Sequence, residues 1–288
     1  MDLFPIIEGI AKRGLENQVI KECDYYGEDG LLVCGVCHEP RQEIAPWKVG
    51  DKTVDLKRAR SCKCDRDIAE QKKREEQMKE DMEYIARLRE LSLMDTKFKN
   101  AVFDSFKTNK ENERNLKLCR RYATAFDKMM EKAQGLLMWG DVGTGKSFAA
   151  ACIANYLLDH KTSVIMTSFV KILEIIDKDR DEESAIIARL GRAKLVIFDD
   201  LGAERSTDYA IEKVYNIIDS RYRSGLPMIL TTNLTLDAMQ NETDIRYKRI
   251  FDRIFETCYP MQFTGVSWRM RSAYQRFSEM ESLLTDNE

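Results

Sequence analysis

The stretch "GDVGTGKS", residues 140–147, decides the fold of this chain. It satisfies the spacing G-x-x-x-x-G-K-[ST] with Gly140, Gly145, Lys146 and Ser147. An apolar run, "GLLMW", precedes it and an alanine-rich run, "SFAAACIANYLL", follows it, which predicts a strand, a glycine turn and a helix in succession. Glycines let backbone N–H groups turn toward a phosphate, and the start of a helix adds a positive dipole end. The stretch therefore predicts a loop that binds a nucleoside triphosphate.

Outward from this loop, strand-like and helix-like segments alternate from Gly135 onward. Apolar runs recur as "GLLMW", "SVIMT", "KLVIFD", "PMILTT" and "YPMQFT", with helical stretches between them. Near-continuous apolar strands between helices are typical of a parallel sheet covered on both faces. The sequence thus predicts an α/β domain with a five-stranded parallel sheet.

Polar residues follow two of these strands at their carboxyl ends, where open α/β sheets bind ligands. "LVIFDD" ends in Asp199, which is expected to hold Mg²⁺ through water, and Asp200, which is expected to polarise the attacking water. Glu204 is an alternative base. Asn233, in "TTN", is expected to help orient the water. The structural alternatives are helix capping for Asp200 and a simple turn for Asn233.

Lys146 is expected to reach the β- and γ-phosphates of ATP, and Ser147 and Asp199 are the expected Mg²⁺ ligands. The residues predicted to bind the nucleotide are Gly140, Asp141, Val142, Gly143, Thr144, Gly145, Lys146, Ser147, Phe148 and Asp199.

Four cysteines near the start form two closely spaced pairs, Cys34-x₂-Cys37 and Cys62-x-Cys64. Four thiolates are the soft ligand set that completes a tetrahedral structural Zn²⁺ site. His38 and Cys23 are alternative ligands. The other interpretation is four unlinked reduced thiols.

Composition excludes some classes of function. The net charge is −3, with 33% charged and 43% hydrophobic residues, so nothing global attracts nucleic acid or a membrane. A local exception is 57–74, with eight Lys/Arg against three Asp/Glu. No run approaches the ~20 apolar residues of a spanning helix. The first residues do not resemble a signal peptide, so a cytoplasmic location is expected.

The pattern predicts three parts. Residues 1–65, rich in turns and cysteines, would form a zinc-binding domain. Residues 66–95 would form a charged helical linker, most of which is a solvated helix over 65–93. Residues 96–288 would form the nucleotide-binding domain, entered through an amphipathic helix over 112–135. The apolar face of that helix would consist of Cys119, Tyr122, Ala123, Phe126 and Met130.

Several stretches resemble one family closely. "RLRELSLMDTKFKNAVFDSF", "FDDLGAERSTDYA", "DSRYRSGLPMILTTNL" and "RIFDRIFE" are similar to the DnaC/DnaI-type helicase loaders, which are AAA+ ATPases. The resemblance runs from about residue 31 to 275, and the IstB-type transposition ATPases are similar as well. It implies a P-loop AAA+ domain with a short C-terminal helix in place of a lid domain, preceded by a small zinc-binding domain and a helical linker.

The resemblance also implies roles for two arginines and a slow reaction. Arg253 in "RIFDRIFE" matches the arginine finger, which reaches the γ-phosphate of a neighbouring subunit, and Arg249 is its rival. A surface ion pair is the structural alternative for Arg253. Arg269 in "SWR" matches the sensor that touches phosphates within one subunit. Asp200 stands where many AAA+ proteins have glutamate, and a shorter carboxylate favours slow hydrolysis.

The expected function is therefore an ATP-dependent loader of a hexameric replicative DNA helicase onto single-stranded DNA, acting as a nucleotide-dependent homo-oligomer. The resemblance assigns helicase docking to the zinc-binding domain. Alternatives are an IstB-type transposition ATPase acting on DNA and a non-catalytic nucleotide-binding adaptor. Phe169 in "TSFVKILEIIDK" is a candidate DNA contact, with core packing as its alternative.

Overall fold

The computed structural model describes residues 4–49, 52–106, 112–179, 182–204 and 207–285. Two compact units make up the chain, Met1–Met82 and Glu83–Glu288, called here the N-terminal unit and the C-terminal unit. The boundary between the units falls within a helix, Lys63–Leu91.

The N-terminal unit contains one helix, two small antiparallel sheets and the start of that boundary helix. Its elements are α1 (Phe4–Glu16), β1 (Tyr25–Tyr26), β2 (Leu32–Val33), β3 (Gln42–Val49), β4 (Lys52–Ala59) and α2 (Lys63–Leu91). β1 pairs with β2, β3 pairs with β4, and α1 packs against β4. Each strand of the β3–β4 hairpin has eight residues. The predicted charged helix over 65–93 is present as α2.

The C-terminal unit is built on a five-stranded parallel sheet, as predicted. Its strands are β5 (Gly135–Gly140), β6 (Val164–Ser168), β7 (Leu195–Leu201), β8 (Met228–Thr232) and β9 (Cys258–Phe263), in the order β6-β7-β8-β5-β9. Its further helices are α3 (Glu113–Thr124), α4 (Phe126–Glu131), α5 (Lys146–Asp159), α6 (Phe169–Lys178), α7 (Glu182–Arg192), α8 (Asp208–Arg223), α9 (Leu236–Gln240), α10 (Ile245–Thr257) and α11 (Trp268–Thr285). α11 corresponds to the C-terminal helix expected from the resemblance.

Both faces of the sheet are covered, because successive side chains of a strand point to opposite faces. On β5, Leu136 and Met138 belong to the core cluster that contains α5, whereas Leu137 belongs to the cluster that contains α6, α8 and α10. Phe169 lies in the second cluster, fully buried, with its ring stacked on Phe198 at 4.7 Å between centroids. Phe169 is therefore a core residue, as the alternative interpretation expected, and it is not available to contact DNA.

The prediction of a single helix over 112–135 is wrong in one respect. α3 and α4 are separate helices, because Ala125 leaves helical geometry at φ −105° and ψ 24°. The predicted apolar face survives the break, since Cys119, Tyr122, Ala123 and Phe126 are all buried.

Candidate functional site

The glycine-rich loop connects β5 to α5, as its sequence requires. Gly140, Gly143 and Gly145 have φ angles of +124°, +80° and +102°, which favour glycine. Two of them also lack room for a side chain: a Cβ would lie 2.2 Å from the carbonyl oxygen of Phe263 at Gly140, and 2.1 Å from Oγ of Ser267 at Gly143. The loop conformation therefore depends on glycine at these positions.

Lys146 joins the loop to the end of the neighbouring strand. Its Nζ donates hydrogen bonds to the carbonyl oxygens of Gly140 and Asp141, both at 2.7 Å, and to Oδ1 of Asn233 at 2.9 Å. The residue is 5% exposed, and burial lowers the pKa of its ammonium group. The sequence places Lys146 and Asn233 far apart, and the parallel pairing of β5 with β8 brings them together.

A cavity of about 600 Å³ opens over this loop, within the size range of small-molecule sites. Its walls contain most of the predicted site residues and several aromatic ones. They are Phe98, Ser105, Phe106, Val142, Gly143, Gly145, Lys146, Ser147, Phe148, Asp200, Asn233, Trp268, Arg269 and Arg276. Asp199 and Arg253 are not among them. Asp200, Asn233 and Arg269 therefore share a wall with the loop, although Asp200 lies at the end of β7, Asn233 follows β8 and Arg269 follows β9.

Part of the cavity wall is aromatic, which was not predicted from the sequence. Phe98 and Phe106 come from the segment before α3, and Phe106 packs against Phe148 with 5.7 Å between ring centroids. Flat aromatic rings beside a phosphate-binding loop offer a stacking surface for a purine base. The aromatic spacing of the stretch "FKNAVFDSF" is the sequence feature that could have predicted this surface.

The start of α11 is attached directly to the loop. The backbone N–H of Trp268 donates to the carbonyl oxygen of Gly143 at 2.9 Å, and Arg269 follows on the cavity wall. Arg276, two turns along the same helix, also lines the cavity. Arg269 was expected here from the resemblance, whereas Arg276 was not predicted from the sequence.

The two aspartates at the end of β7 differ in orientation. Oδ1 of Asp199 accepts a hydrogen bond from Oγ1 of Thr231 at 2.6 Å, whereas Asp200 lies on the cavity wall. A register shift between Phe198 and Leu201 and a φ of +57° at Asp200 turn this second side chain. Such a conformation is unusual for a residue other than glycine and is often found at functional sites.

Burial, followed by the neighbouring Asp199, raises the pKa of the Asp200 carboxyl group. A base must be ionised to accept a proton, so Asp200 would lose this capacity at a higher pH than an exposed aspartate would. The alternative base Glu204 is 8% exposed, and its Oε2 accepts a hydrogen bond from the backbone N–H of Gly202 at 2.9 Å. It does not line the cavity, so the geometry favours Asp200.

Arg253 lies on α10 and is held against α8. Its guanidinium pairs with Oδ1 of Asp219 at 2.5 Å, donates to the hydroxyl of Tyr215 at 2.9 Å, and lies 5.6 Å from the ring centroid of Tyr222. Arg249, one turn earlier, is exposed, and no ion pair of its guanidinium is present among the described residues. The two candidate arginine fingers thus differ in how strongly their own subunit holds them.

A second candidate site lies in the N-terminal unit. The Sγ atoms of Cys34, Cys37, Cys62 and Cys64 all lie within 4.8 Å of one another. Tetrahedral zinc with bonds of about 2.3 Å places its sulfur ligands about 3.8 Å apart, so the arrangement fits zinc. Backbone hydrogen bonds, from Cys64 first and Glu39 second, lower the pKa of the Cys37 thiol to about 6. Burial raises the pKa of Cys62 to about 12, and the hydrogen bond with Cys37 raises that of Cys64 to about 11. A bound zinc ion would favour the thiolate form of all four cysteines.

Neither alternative ligand belongs to the four-cysteine cluster in the described part of the chain. The Nδ1 of His38 lies 3.2 Å from the hydroxyl of Tyr25, and Cys23 is exposed. The geometry therefore favours the four cysteines as the ligand set.

Several basic residues of 57–74 are paired in the folded chain. Arg58 and Arg60 pair with Glu43, and Arg66 pairs with Glu39. Asp65, within the stretch, pairs with Lys21 and Arg41 from outside it, so these two cations offset the two glutamates and the net positive charge of the region remains. No helix in the described residues combines the length and apolar character needed to cross a membrane.

The fold and the loop site together define a P-loop nucleotide-binding protein with a parallel α/β sheet. The chain belongs to the family of IstB-like ATP binding proteins, whose sequence model matches residues 62–276. This family has the P-loop AAA+ ATPase fold, in agreement with the predicted class.

Similar proteins include two named helicase loaders. The replicative helicase loader DnaC of Escherichia coli is 27% identical over 160 residues, which cover 54% of this chain and 63% of DnaC. The loader DnaI of Bacillus subtilis is 25% identical over 154 residues, 48% of each chain. The chain thus matches less than two thirds of the length of these relatives. A crystal structure of DnaI superposes with a TM-score of 0.52 and 23% identity, over 62% of this chain and 98% of that one.

Proposed function

We propose that this protein is an ATP-dependent loader of a hexameric replicative DNA helicase onto single-stranded DNA. The observation that carries the proposal is the cavity wall shared by Lys146, Asp200, Asn233 and Arg269. A protein that only bound nucleotide as an adaptor would need the lysine and not this set of water-directing groups. The relatives named as helicase loaders support the choice of partner.

Each residue would act on a different part of ATP. Lys146 would anchor the β- and γ-phosphates, Ser147 and Asp199 would hold Mg²⁺, and Arg269 would contact the phosphates. Asp200 would accept a proton from the attacking water and Asn233 would orient it. Bound Mg²⁺ would neutralise charge on the phosphate oxygens. Because aspartate is shorter than glutamate, hydrolysis would be slow and would suit a switch.

Lys146 also suggests how nucleotide binding is sensed. Its ammonium group bonds to Gly140, Asp141 and Asn233. A triphosphate would compete for this group, because a hydrogen bond between charged partners is stronger than one to a carbonyl oxygen. Asn233 would then lose its lysine partner and become available to water, which links binding to the end of β8.

The N-terminal unit would supply the docking module. We propose residues 1–65 as the zinc-binding part, 66–95 as a helical linker and 96–288 as the ATPase domain. A stable zinc module on a charged helix would hold the helicase while the ATPase domain changes its assembly state with nucleotide.

A loading assay on circular single-stranded DNA tests the function. A closed helicase ring cannot thread onto a circle, so unwinding of an annealed strand by the replicative helicase of the same organism requires a loader. We expect the wild-type protein with ATP to stimulate unwinding and the Lys146→Ala variant to give none. Wild-type protein that neither captures nor stimulates the helicase, but activates a transposase, would establish the IstB-type alternative instead.

We further propose Arg253 as the arginine that reaches the nucleotide of a neighbouring copy. To reach that nucleotide, the guanidinium of Arg253 would leave Asp219 and bind a phosphate instead. Arg253→Ala is expected to slow ATP hydrolysis by about 100-fold with little change in ATP affinity, because the charge acts mainly on the transition state. The variant should also lose about 1 kcal/mol of unfolding free energy, since it removes one of the two cations that pair with the half-buried Asp219 and leaves Arg223 as the other.

Arg249→Ala is the matched control, and it should change neither hydrolysis nor thermal stability. Mixing Arg253→Ala with Lys146→Ala subunits should restore part of the activity, because each subunit supplies the group that the other lacks. If Arg249→Ala is the variant that loses hydrolysis, or if co-assembled mixtures show no rescue, Arg253 is not the finger.

A further inference from the structure

The two cysteine pairs of the N-terminal unit are joined by a network of charged side chains. Cys34 and Cys37 follow β2, whereas Cys62 and Cys64 lie at the start of α2. The network consists of Lys21, Asp24, Arg41 and Asp65. The side chain of Asp24 is fully buried and that of Arg41 is 6% exposed, which is rare for ionised groups and requires good pairing.

Asp24 fixes the backbone of the first cysteine pair. Its Oδ1 accepts a hydrogen bond from the backbone N–H of Gly35, between Cys34 and Cys37, at 3.3 Å. Gly35 is packed so tightly that a Cβ there would lie 1.7 Å from the carbonyl oxygen of Cys23. The position of the first pair therefore depends on the segment that carries Asp24.

Asp65 contacts the second cysteine pair, as Asp24 contacts the first. Its Oδ2 lies 3.3 Å from Sγ of Cys62, and its Oδ1 accepts a hydrogen bond from Nζ of Lys21 at 2.9 Å. Asp65 also follows Cys64 directly in the chain. A group that holds Asp65 consequently holds the second pair.

Arg41 is the residue that spans both aspartates. Its Nη1 pairs with Oδ2 of Asp24, and its Nη2 lies 3.0 Å from Oδ2 of Asp65. The backbone of Arg41 is fixed as well, since its N–H donates to the carbonyl oxygen of Leu32 at 2.7 Å and its own carbonyl oxygen accepts from Arg60 at 2.8 Å. A planar guanidinium presents two donors at a fixed separation, which the single ammonium of lysine does not.

We propose that Arg41 is a positioning residue that holds the two cysteine pairs at the separation a tetrahedral zinc site requires. The inference rests on the zinc site proposed above. Groups outside the ligand set that orient metal ligands raise metal affinity, because the ligands then lose less freedom on binding. Arg41 would orient the cysteine ligands indirectly, because it binds Asp24, which contacts the first pair, and Asp65, which contacts the second.

Zinc affinity of full-length variants, measured by competition with a coloured chelator, tests the proposal. Arg41→Met keeps the apolar stem and removes both ion pairs, and it should weaken zinc binding by about 10- to 100-fold. Arg41→Lys should recover only part of the loss. Saturating Co²⁺ should still give the absorption of four thiolates in every variant, because the ligands themselves are unchanged.

Arg60→Met is the matched control. Arg60 is half-exposed and pairs with Glu43 at 3.2 Å, outside the network. The zinc affinity of the Arg60→Met variant should therefore equal that of the wild type. Equal affinities for wild type and Arg41→Met, or equal losses for Arg41→Met and Arg60→Met, would overturn the proposal. Wild-type protein that binds no zinc would overturn it too.

Should Arg41→Met fail to fold, Arg41→Lys decides, because it keeps the buried charge and loses only the bridge. Wild-type affinity in Arg41→Lys would then count against Arg41. The measurement needs neither helicase nor ATP, so failure of the loading function and failure of this inference give separate results.

Discussion

Replacing Lys146 by alanine is expected to lower the affinity for ATP by about 10³-fold, which corresponds to roughly 4 kcal/mol. No other residue of 140–148 carries a positive side chain, so nothing in the loop replaces the lost charge at the β- and γ-phosphates. Hydrogen bonds to charged groups contribute about 1.5–3 kcal/mol each, and the variant loses at least two of them. Isothermal titration calorimetry with ATP and Mg²⁺ measures the change.

The same variant should still fold. Lys146 is 5% exposed, and burial lowers the pKa of its ammonium group, so burying the charge is unfavourable. Loss of its hydrogen bonds to Gly140, Asp141 and Asn233 opposes the gain from removing that charge, so thermal unfolding without nucleotide should stay close to that of the wild type. Lys171→Ala is the control, because Lys171, on α6, pairs with Asp95 and lies outside the cavity wall. Unchanged ATP affinity in Lys146→Ala would contradict the assignment of the P-loop.

Cys37→Ser is expected to lose zinc and to unfold the N-terminal unit. Among the described residues of that unit, the buried hydrophobic ones are Leu32, Cys34 and Cys62, and two of these are proposed ligands. So small a core gives little stability by itself, whereas structural zinc contributes about 10–16 kcal/mol in small zinc-dependent folds. Loss of one thiolate should therefore affect this unit far more than a usual surface substitution would.

Elemental analysis should find one zinc per wild-type chain and none in Cys37→Ser. Limited proteolysis should then cleave the N-terminal unit of the variant while the C-terminal unit, which has its own core on both faces of the sheet, still binds ATP. Cys23→Ser is the control, since Cys23 is exposed and outside the four-cysteine cluster. One zinc per chain in Cys37→Ser, or none in carefully prepared wild type, would refute the zinc site.

The pattern of the sequence predicted the parallel sheet because the signal is local. A buried strand needs a short apolar run, and a phosphate loop needs its glycines and lysine at fixed spacing, so both are visible within a few residues. The five strands and α2 follow from such signals, whereas the C-terminal helix α11 was expected from the family resemblance. The break at Ala125 does not, because nothing in 112–135 marks it: the stretch contains neither proline nor an internal glycine.

The sequence by itself thus determined the type of fold, the loop and the candidate ligands, whereas only the tertiary structure decided which of them meet. It buried Phe169 against Phe198, paired Arg253 with Asp219, and covered part of the basic stretch with Glu39 and Glu43. It also placed Asp200, rather than Asp199, on the cavity wall. The physical reason is that each of these outcomes depends on contacts with residues from other segments or on a shift in strand register. Composition and spacing carry no record of such contacts, which form only when the helices and strands pack together.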